Sequence, residues 1–447
     1  MKPVVVLLSV PGLRQRDLAS MPALTELVRA GEEARLVPSF PAVTCPVQAN
    51  MTCGALPSEH GVVANGFYWR DTNRVEMWTA WNDCIDRPQI WDRLRQWDPS
   101  LKSAVWFPLH SKGCGADYMC APAPIHNEDG TESLWCHTRP ETLYQELVDE
   151  LGHFPLHHFW GPVANIQSTS WIVDSAIRAA GKFHPDFLYI YLPHLDYVGQ
   201  KQGPDTGAFS DSLVELDNEI RKLAQGLSQM AREDSLLWLV ASEYAVVPVD
   251  HVTFPNRLLR EAGLLEVCQQ EDGEYLDLRN SRAWALADHQ FSHVFVQNAD
   301  PQTIKQVMDC FTHVPGIARV LAAEDFKRFG LDHPRTGEVV LVSEPNSWQA
   351  YYWWQQESCA PSFARTVDIH RKPGYDPVEL FFDPGTKGIP LDASLVCGSH
   401  GAPVTDPAQQ GVVLASKPGI LGKSQLADTE IAACTLKAFG LPVVENQ

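Results

Sequence analysis

The sequence predicts an α/β fold in which a mostly parallel central sheet is sandwiched between helices. Three uninterrupted apolar runs, at 4–10, 187–192 and 236–241, have the composition of strands that are buried on both faces of a parallel sheet. Helical patterns lie between these runs, and strands that alternate with helices are typical of α/β proteins. Each run is followed by a polar loop, and such sheets carry their ligands in the loops beyond the carboxyl ends of their strands.

The helices are predicted from apolar positions that recur along one face of each segment. A helix at 21–30 is followed by a short strand at 34–37, and another helix begins at about Val47. The remaining predicted helices lie at 89–96, 140–151, 170–180, 212–229 and 429–439.

A small α+β capping subdomain is predicted to interrupt this core. The first part of the core spans 1–280, the inserted cap spans 281–335, and the rest of the core spans 336–447. A chain of 447 residues is long enough for one large α/β domain with such an insertion.

Within the cap, the pattern indicates a split β-α-β unit. A short strand at 293–297 is followed by a helix at 301–311 and a second strand at 317–321. The main sheet is expected to resume at 339–342, where four consecutive apolar residues form another buried run.

The charge of the chain limits its partners. Its 55 acidic and 35 basic side chains give a formal charge of −20, which argues against binding to nucleic acid or to an anionic membrane surface. No segment approaches the apolar length of a membrane span. A small anionic substrate remains compatible with this charge, because a metal ion or local dipoles can override the global field.

The cysteines and the amino end indicate the compartment. The 11 cysteines are scattered without a dense framework, which favours reduced thiols. The apolar run near the amino end is too short for a signal sequence, and Arg14 and Arg16 follow it without a small-residue cleavage site. We therefore expect a cytoplasmic protein, and the sequence leaves its oligomeric state open.

The stretch 39–50, Ser-Phe-Pro-Ala-Val-Thr-Cys-Pro-Val-Gln-Ala-Asn, holds the first candidate for catalysis. Its prolines turn the chain sharply before a helix, and the hydroxyl of Thr44 lies at that turn. Free N–H groups and the dipole of a helix N-terminus favour an anion, such as a phosphoryl or sulfuryl group under attack by an oxygen nucleophile. The alternative is that Thr44 only caps the helix.

The motifs that follow Thr44 occur in the order of a known family. The run Phe40-Pro41-Ala42-Val43-Thr44-Cys45-Pro46 precedes Pro57-Ser58-Glu59-His60-Gly61 and Asn65, and polar loops follow at 193–204, 242–245 and 398–401. This series resembles the alkaline phosphatase superfamily, specifically its nucleotide pyrophosphatase/phosphodiesterase branch, over nearly the whole chain. The resemblance implies an alkaline phosphatase-like fold, Thr44 as the nucleophile, Asn65 as a donor to the oxyanion, and two metal sites.

The chain departs from the family at the first of these metal sites. Asp196 and His400 match two of its ligands, whereas Gln200 stands where the family has a His. The resemblance then implies one divalent cation, held by these three residues together with Glu243. Such an oxygen-rich set with one imidazole suits manganese or magnesium about as well as zinc. The alternative is that no metal is bound.

The second metal site departs further. Pro11 stands where the family has an Asp, and Glu243-Tyr244 stands where it has an Asp-His pair. Pro11 has no side-chain ligand, so a dizinc centre is not expected from these residues.

Four residues are candidates for substrate binding. Tyr244 and His289 lie in polar loops, and Arg371 and Lys372 offer cations to a phosphate or carboxylate. The alternative for Arg371 and Lys372 is a structural ion-pair network with Asp368 and Asp376. The alternative for His289 is a hydrogen-bonded structural residue.

Two functions follow from these residues. The first is hydrolysis of phosphodiester, pyrophosphate or phosphonate bonds by a Thr nucleophile with at most one well-formed metal site. The alternative is a catalytically altered member of the superfamily. Such a protein binds a small metabolite, or it catalyses a non-hydrolytic step in a biosynthetic pathway with Glu243 as a general base.

Overall fold

The computed structural model describes residues 3–126, 132–229 and 236–441, and a nine-stranded sheet lies at its centre. From edge to edge its strands are Gln425–Ala427, Glu32–Val37, Gly411–Ala415, Leu236–Ala241, Val4–Ser9, Phe187–Tyr191, Ser103–Trp106, Tyr118–Pro122 and Cys136–Arg139. The five neighbouring strands from Leu236–Ala241 to Tyr118–Pro122 are parallel. The predicted α/β fold with a mostly parallel central sheet is confirmed.

The strand Val4–Ser9 shows why its sequence is an uninterrupted apolar run. Successive side chains of a strand point to opposite faces of the sheet. Val6 and Leu8 belong to the hydrophobic cluster on one face, and Val5 and Leu7 belong to the cluster on the other. Both faces are covered, so the positions from Val4 to Leu8 are apolar, and the only polar side chain of the strand is that of its last residue, Ser9.

Helices form a layer on each face of the sheet. One layer contains Pro22–Val28, Leu143–Leu151, Ile166–Phe183 and Gly207–Ser228. The other contains Thr44–Cys53, Ile90–Trp97 and Ile431–Ala438. The remaining α-helices of the described residues are Pro57–His60, His194–Gln202, Pro255–Glu261, Pro301–Phe311 and Ala323–Phe326. Within the described ranges, none of the helices combines the length and the apolar character that crossing a bilayer requires.

A second sheet has four antiparallel strands. Its order is Ala283–Asp288, Phe291–Val296, Val339–Ser343 and Ile317–Leu321. The prediction that the main sheet resumes at 339–342 is therefore wrong, because that run pairs with both neighbours in the second sheet. Its buried apolar pattern does not specify which sheet it joins. The boundary between the inserted cap and the rest of the core, at 335/336, stays a prediction. It would separate the strand Val339–Ser343 from the other three strands of the second sheet.

The loops at the carboxyl ends of three central strands come together. The N–H of Val10 donates to the carbonyl of Ala241 at 2.9 Å, and that of Gly12 donates to the carbonyl of Tyr244 at 2.9 Å. Leu192 donates to the carbonyl of Ser9 at 2.9 Å. These backbone bonds hold the loops that follow the three strands against one another and place their polar side chains in one region.

Candidate active site

Thr44 is the first residue of the helix Thr44–Cys53, and Val43 is its N-cap. The helix therefore begins three residues earlier than the sequence predicts. The N-cap position thus belongs to Val43, and the Thr44 hydroxyl oxygen lies 2.9 Å from the hydroxyl oxygen of Tyr244. The alternative that Thr44 only caps the helix is wrong. The side chain of Thr44 is directed toward Tyr244, in the loop that follows the strand Leu236–Ala241.

Asn65 connects the start of this helix to the second sheet. Its Oδ1 accepts the N–H of Cys45 at 3.0 Å. Its backbone N–H and its Nδ2 donate to the two oxygens of Asp288, at 2.8 and 2.9 Å. Burial raises the pKa of Asp288 to about 7. Asn65 thus fixes the helix N-terminus, and its role as a donor to an oxyanion stays a prediction.

Asp196 lies at the start of the helix His194–Gln202, which follows the strand Phe187–Tyr191. Its Oδ2 accepts Nε2 of Gln200 at 2.7 Å, four residues along the same helix. Its Oδ1 accepts the hydroxyl of Tyr244 at 3.3 Å. Burial raises the pKa of Asp196 to about 7, although both hydrogen bonds favour the charged form. Asp196 is therefore joined to Thr44 through one phenol.

Glu243 lies beside these residues in the loop after the strand Leu236–Ala241. Its Oε1 accepts the Ser9 hydroxyl at 2.6 Å and Nε2 of Gln48 at 2.7 Å, whereas its buried Oε2 has no hydrogen-bond partner. Burial raises the pKa of Glu243 to about 8. Ser9 and Gln48 fix this carboxyl, and the nearby hydroxyl of Thr44 also favours its charged form.

His400 completes the group. Its Nδ1–H donates to the carbonyl of Ala42 at 2.8 Å, which leaves Nε2 as the acceptor. This buried Nε2 has no hydrogen-bond partner and lies 3.5 Å from Oδ1 of Asp196. Burial lowers the pKa of His400 to about 3, so the ring is neutral. The structure thus brings Thr44, Asp196 and His400 together, as the sequence predicts.

Four side-chain rings near Asp196 stack on one another, and we call this group the ring stack. It consists of Tyr244, His400, His289 and Tyr375. Their centroids are separated in that order by 3.5, 3.9 and 3.8 Å. At its far end, the Tyr375 hydroxyl donates to Oε1 of Gln200 at 2.6 Å. The ring stack connects Tyr244 to Tyr375, and hydrogen bonds connect these two residues through Asp196 and Gln200. The contacts thus form a closed ring that includes Asp196 and Gln200. His289 is buried inside it.

Arg371 and Lys372 form structural ion pairs, which is the alternative to a role in substrate binding. The exposed guanidinium of Arg371 pairs with Asp368. The buried Nζ of Lys372 lies 2.8 Å from Asp376 and 2.6 Å from Glu379. In the described part of the chain, neither side chain hydrogen-bonds or ion-pairs with the residues around Thr44. The structure therefore does not bring these two predicted substrate ligands to the site.

The donor set does not fit the cations that the resemblance implies. Among the described residues, no group of three or more His, Cys, Asp or Glu side chains is placed to hold a metal ion. Both oxygens of Asp196 already accept protein donors, and the carbonyl oxygen of Gln200 already accepts Tyr375. Pro11 offers no ligand. Neither two cations nor the predicted single cation has its ligands arranged here.

Sequence reasoning missed three residues of the site. Ser9 and Gln48 hold Glu243, and Tyr375 holds Gln200. Ser9 is the last residue of the strand Val4–Ser9 and Gln48 lies on the Thr44 helix, so their places near the site follow from the topology. Tyr375 follows from no local pattern, because it reaches Gln200 across 175 positions of the chain.

The fold and the site define an alkaline phosphatase-like α/β protein with a threonine at the start of a helix. The model of the type I phosphodiesterase / nucleotide pyrophosphatase family matches residues 5–376. The chain belongs to this family.

A curated relative is an uncharacterized pyrophosphatase/phosphodiesterase of Schizosaccharomyces pombe, 23% identical over 235 residues that cover 50% of this chain and 39% of that protein. The chain spans less than half the length of the first curated relatives it matches.

Two solved structures share the fold. Human ectonucleotide pyrophosphatase/phosphodiesterase 5 is similar with a TM-score of 0.64 at 13% identity, covering 99% of this chain and 96% of its own. Phosphonoacetate hydrolase from Sinorhizobium meliloti, in complex with phosphonoformate, is similar with a TM-score of 0.62 at 15% identity, covering 98% and 96%. At these identities the likeness concerns the fold.

Proposed function

We propose that the chain hydrolyses phosphodiester, pyrophosphate or phosphonate bonds with Thr44 as the nucleophile. The observation that carries this proposal is the position of the Thr44 hydroxyl. It lies on the first residue of a helix whose N-cap is Val43, and it contacts a phenol that donates to Asp196. Family membership supports the reaction class, since the family is that of type I phosphodiesterases and nucleotide pyrophosphatases.

The first step forms a bond between Oγ1 of Thr44 and phosphorus, while the bond from phosphorus to the leaving group breaks. The hydroxyl proton has a hydrogen-bonded path through the hydroxyl of Tyr244 to the carboxyl of Asp196. The N-terminus of the helix Thr44–Cys53 favours the negative charge of the phosphoryl group. The leaving group departs with its electron pair, and the product of this step is a phosphorylated or phosphonylated Thr44.

The second step restores the enzyme. A water molecule attacks the phosphorus and gives one proton to a base, the bond to Oγ1 of Thr44 breaks, and the proton held by Asp196 returns to Thr44 along the same path. The proton taken from the water is released to solvent, which supplies the proton that the leaving group takes up. Glu243 is the second candidate for a base, because its buried Oε2 has no partner. The substrate class we propose is a small anion, of which the phosphonoformate held by the Sinorhizobium meliloti hydrolase is an example.

The test is turnover of a panel of substrates by the purified protein: bis-(4-nitrophenyl) phosphate, a dinucleoside triphosphate and phosphonoacetate. Thr44→Ala should abolish turnover, and Thr44→Ser should retain part of it. Thr52→Ala is the matched control, since its buried hydroxyl lies on the same helix and donates to the carbonyl of Gln48 at 2.7 Å. Undiminished turnover by Thr44→Ala would contradict the assignment.

A second candidate function rests on two further observations. The donors and acceptors of Asp196 and Gln200 are occupied by the protein itself, and Thr44 is only 5% exposed. These features favour a member of the family that binds a small metabolite or catalyses a non-hydrolytic step. Calorimetric binding of phosphonoacetate or a nucleotide without any turnover in the panel would favour this function.

We also propose that the protein acts in a reducing compartment such as the cytoplasm. All 11 cysteines are free thiols, and seven of them are buried, namely Cys45, Cys53, Cys84, Cys114, Cys120, Cys136 and Cys434. Intracellular conditions keep such thiols reduced. Localisation of the tagged full-length protein by microscopy tests this proposal.

A further inference from the structure

The site departs from the family it resembles at the places where cations would be held. Pro11, Gln200 and Tyr244 replace an Asp and two His residues of the family pattern. In the structure these positions are connected: the loop of Pro11 is joined to Tyr244 by the N–H of Gly12, and Gln200 and Tyr244 both donate to Asp196. The replacements therefore act on one centre.

Asp196 shows what these replacements do. A carboxylate that ligates a cation offers at least one oxygen to it at about 2.0–2.6 Å. Here one oxygen accepts an amide N–H at 2.7 Å and the other accepts a phenol O–H at 3.3 Å. A cation that bridged Asp196 to Thr44 would have to displace the phenol of Tyr244, and the Gln200 amide on the other oxygen is itself held by Tyr375.

The phenol of Tyr244 stands where a cation shared by Thr44 and Asp196 would stand. Its oxygen is 2.9 Å from the Thr44 oxygen and 3.3 Å from the Asp196 carboxylate. Its ring lies flat on the imidazole of His400, with 8° between the planes, and is 1% exposed. Because the ring stack holds this ring on one side, the hydroxyl cannot swing away without breaking the stack.

We propose that Tyr244, held by the ring stack, takes the place of a cation beside Thr44, so that this site positions its nucleophile without a divalent metal. Tyr244 is then a positioning residue that orients the Thr44 hydroxyl and connects it to Asp196. This inference rests on the proposed function for its catalytic part. Its metal part stands independently, since it concerns which ligands the chain offers.

The first experiment measures metal binding. The purified full chain is incubated separately with Zn²⁺, Mn²⁺ and Mg²⁺, desalted, and examined by elemental analysis and thermal unfolding. We expect substoichiometric metal and no rise in the unfolding temperature. The comparison variant carries Pro11→Asp, Gln200→His, Glu243→Asp and Tyr244→His together, and it should retain Zn²⁺ and unfold at a higher temperature when loaded.

One ion retained per wild-type chain, with a rise in its unfolding temperature, would overturn the inference and leave the role of Thr44 untouched. Conversely, an active Thr44→Ala protein that binds no metal would overturn the proposed function and leave the metal part standing. The two failures are therefore distinguishable. If the fourfold variant does not fold, Tyr244→His alone, with Zn²⁺ binding as the readout, takes its place.

The second experiment removes the hydroxyl and keeps the ring. In Tyr244→Phe the stack on His400 is retained, and we expect kcat to fall by about 10²-fold, in the range of positioned proton-transfer groups, with KM changed less than about threefold. Tyr144→Phe is the matched control, because its ring is as buried as that of Tyr244 and its hydroxyl hydrogen-bonds to His153 at 3.0 Å rather than to a residue around Thr44. Its kcat should stay within about threefold of the wild-type value.

Two results would contradict the role of Tyr244. One is a Tyr244→Phe protein with unchanged kcat, and the other is wild-type turnover that EDTA abolishes and Zn²⁺ restores. A purely structural role would lower folding stability in both Phe variants without separating their kcat values. Far-ultraviolet circular dichroism of each variant reports whether it is folded.

Discussion

Asp288 and Asp196 are two buried carboxyls of the same molecule with the same shift of pKa and different partners. Burial raises the pKa of each to about 7. Asp288 accepts two N–H groups of one residue, Asn65, at 2.8 and 2.9 Å. Asp196 accepts an amide of Gln200 at 2.7 Å and a phenol at 3.3 Å.

The difference separates a structural carboxyl from one placed for chemistry. The partners of Asp288 are a backbone N–H and the amide of the same residue, so their positions are fixed together. The phenol on Asp196 is a hydroxyl that rotates and that also contacts Thr44. The first carboxyl anchors the helix N-terminus, and the second is connected to the candidate nucleophile.

Removal of the anchor should have the largest effect on stability. In Asp288→Ala, two buried donors of Asn65 lose their acceptor, at about 1–3 kcal/mol each, so we expect the free energy of unfolding to fall by about 4 kcal/mol. In Asp196→Ala, the hydroxyl of Tyr244 can still donate to Thr44, and only the buried amide of Gln200 loses its acceptor, so the expected loss is about 2 kcal/mol. Urea unfolding followed by fluorescence measures both.

Equal losses in these two variants would remove the distinction between the carboxyls. The variants are matched in residue type, burial and pKa direction, so the comparison isolates the partners. An Asp288→Ala protein as stable as the wild type would mean that Asn65 finds another acceptor.

A third group of buried carboxyls, Asp376 and Glu379, is paired with a lysine ammonium and extends the comparison. The Nζ of the buried Lys372 lies between Asp376 and Glu379. Lys372→Met leaves two buried carboxyls without their ammonium, and we expect a loss of about 3 kcal/mol, at the low end for a broken buried pair. The low end applies because Glu379 also accepts the N–H of Asp368 at 2.9 Å and that of the Trp160 indole at 2.5 Å.

The adjacent Arg371 is the control for Lys372. Its guanidinium is exposed and its pair with Asp368 lies at the surface, where such pairs contribute about 0–1 kcal/mol. Arg371→Ala should therefore change the free energy of unfolding by less than about 0.5 kcal/mol. Substrate KM should be unchanged, and a tenfold rise in KM would restore the predicted substrate role of Arg371.

Much of the fold could be predicted from local patterns. Both faces of the central sheet are covered, so its buried strands have apolar residues at consecutive positions, and this pattern can be recognised in the sequence. It is found in Val4–Ser9, Phe187–Tyr191 and Leu236–Ala241. The strand Val339–Ser343 has the same pattern, yet it joins the second sheet. Apolar composition specifies burial, and strand pairing depends on contacts between distant parts of the chain that composition does not specify.

The candidate site was predictable to the extent that motifs place single residues. Thr44, Asp196, Gln200, Glu243, Tyr244, His289 and His400 are brought together. Asp196, Gln200, Glu243, Tyr244 and His400 were identified from the resemblance to the family, whereas Thr44 was also indicated by its turn before a helix and His289 by its polar cluster. What they do to one another was not predictable, because it depends on atoms: the tautomer of His400, the donors on Asp196 and the stacking of Tyr244. The resemblance implies that Tyr244 stands where the family has a His, whereas the structure shows that its phenol lies between Thr44 and Asp196.

The comparison of Asp288 with Asp196 is sharpened by pH. Each carboxyl has a pKa of about 7 in the folded chain, against an ordinary value of 3.8. The folded state therefore binds more protons than the unfolded state between these values. The stability that each group contributes is fully present below pH 3.8 and is lost as pH rises through about 7.

We therefore expect wild-type stability to fall between pH 6.5 and 8, with each of the two carboxyls accounting for a loss on the order of 1 kcal/mol. The variants Asp288→Asn and Asp196→Asn should each remove an equal share of this pH dependence, although their stabilities at pH 6.5 differ. Urea unfolding of the three proteins at both pH values provides the slopes. Unequal shares would mean that the partners set the proton affinity as well as the structural role, since burial alone acts equally on both groups.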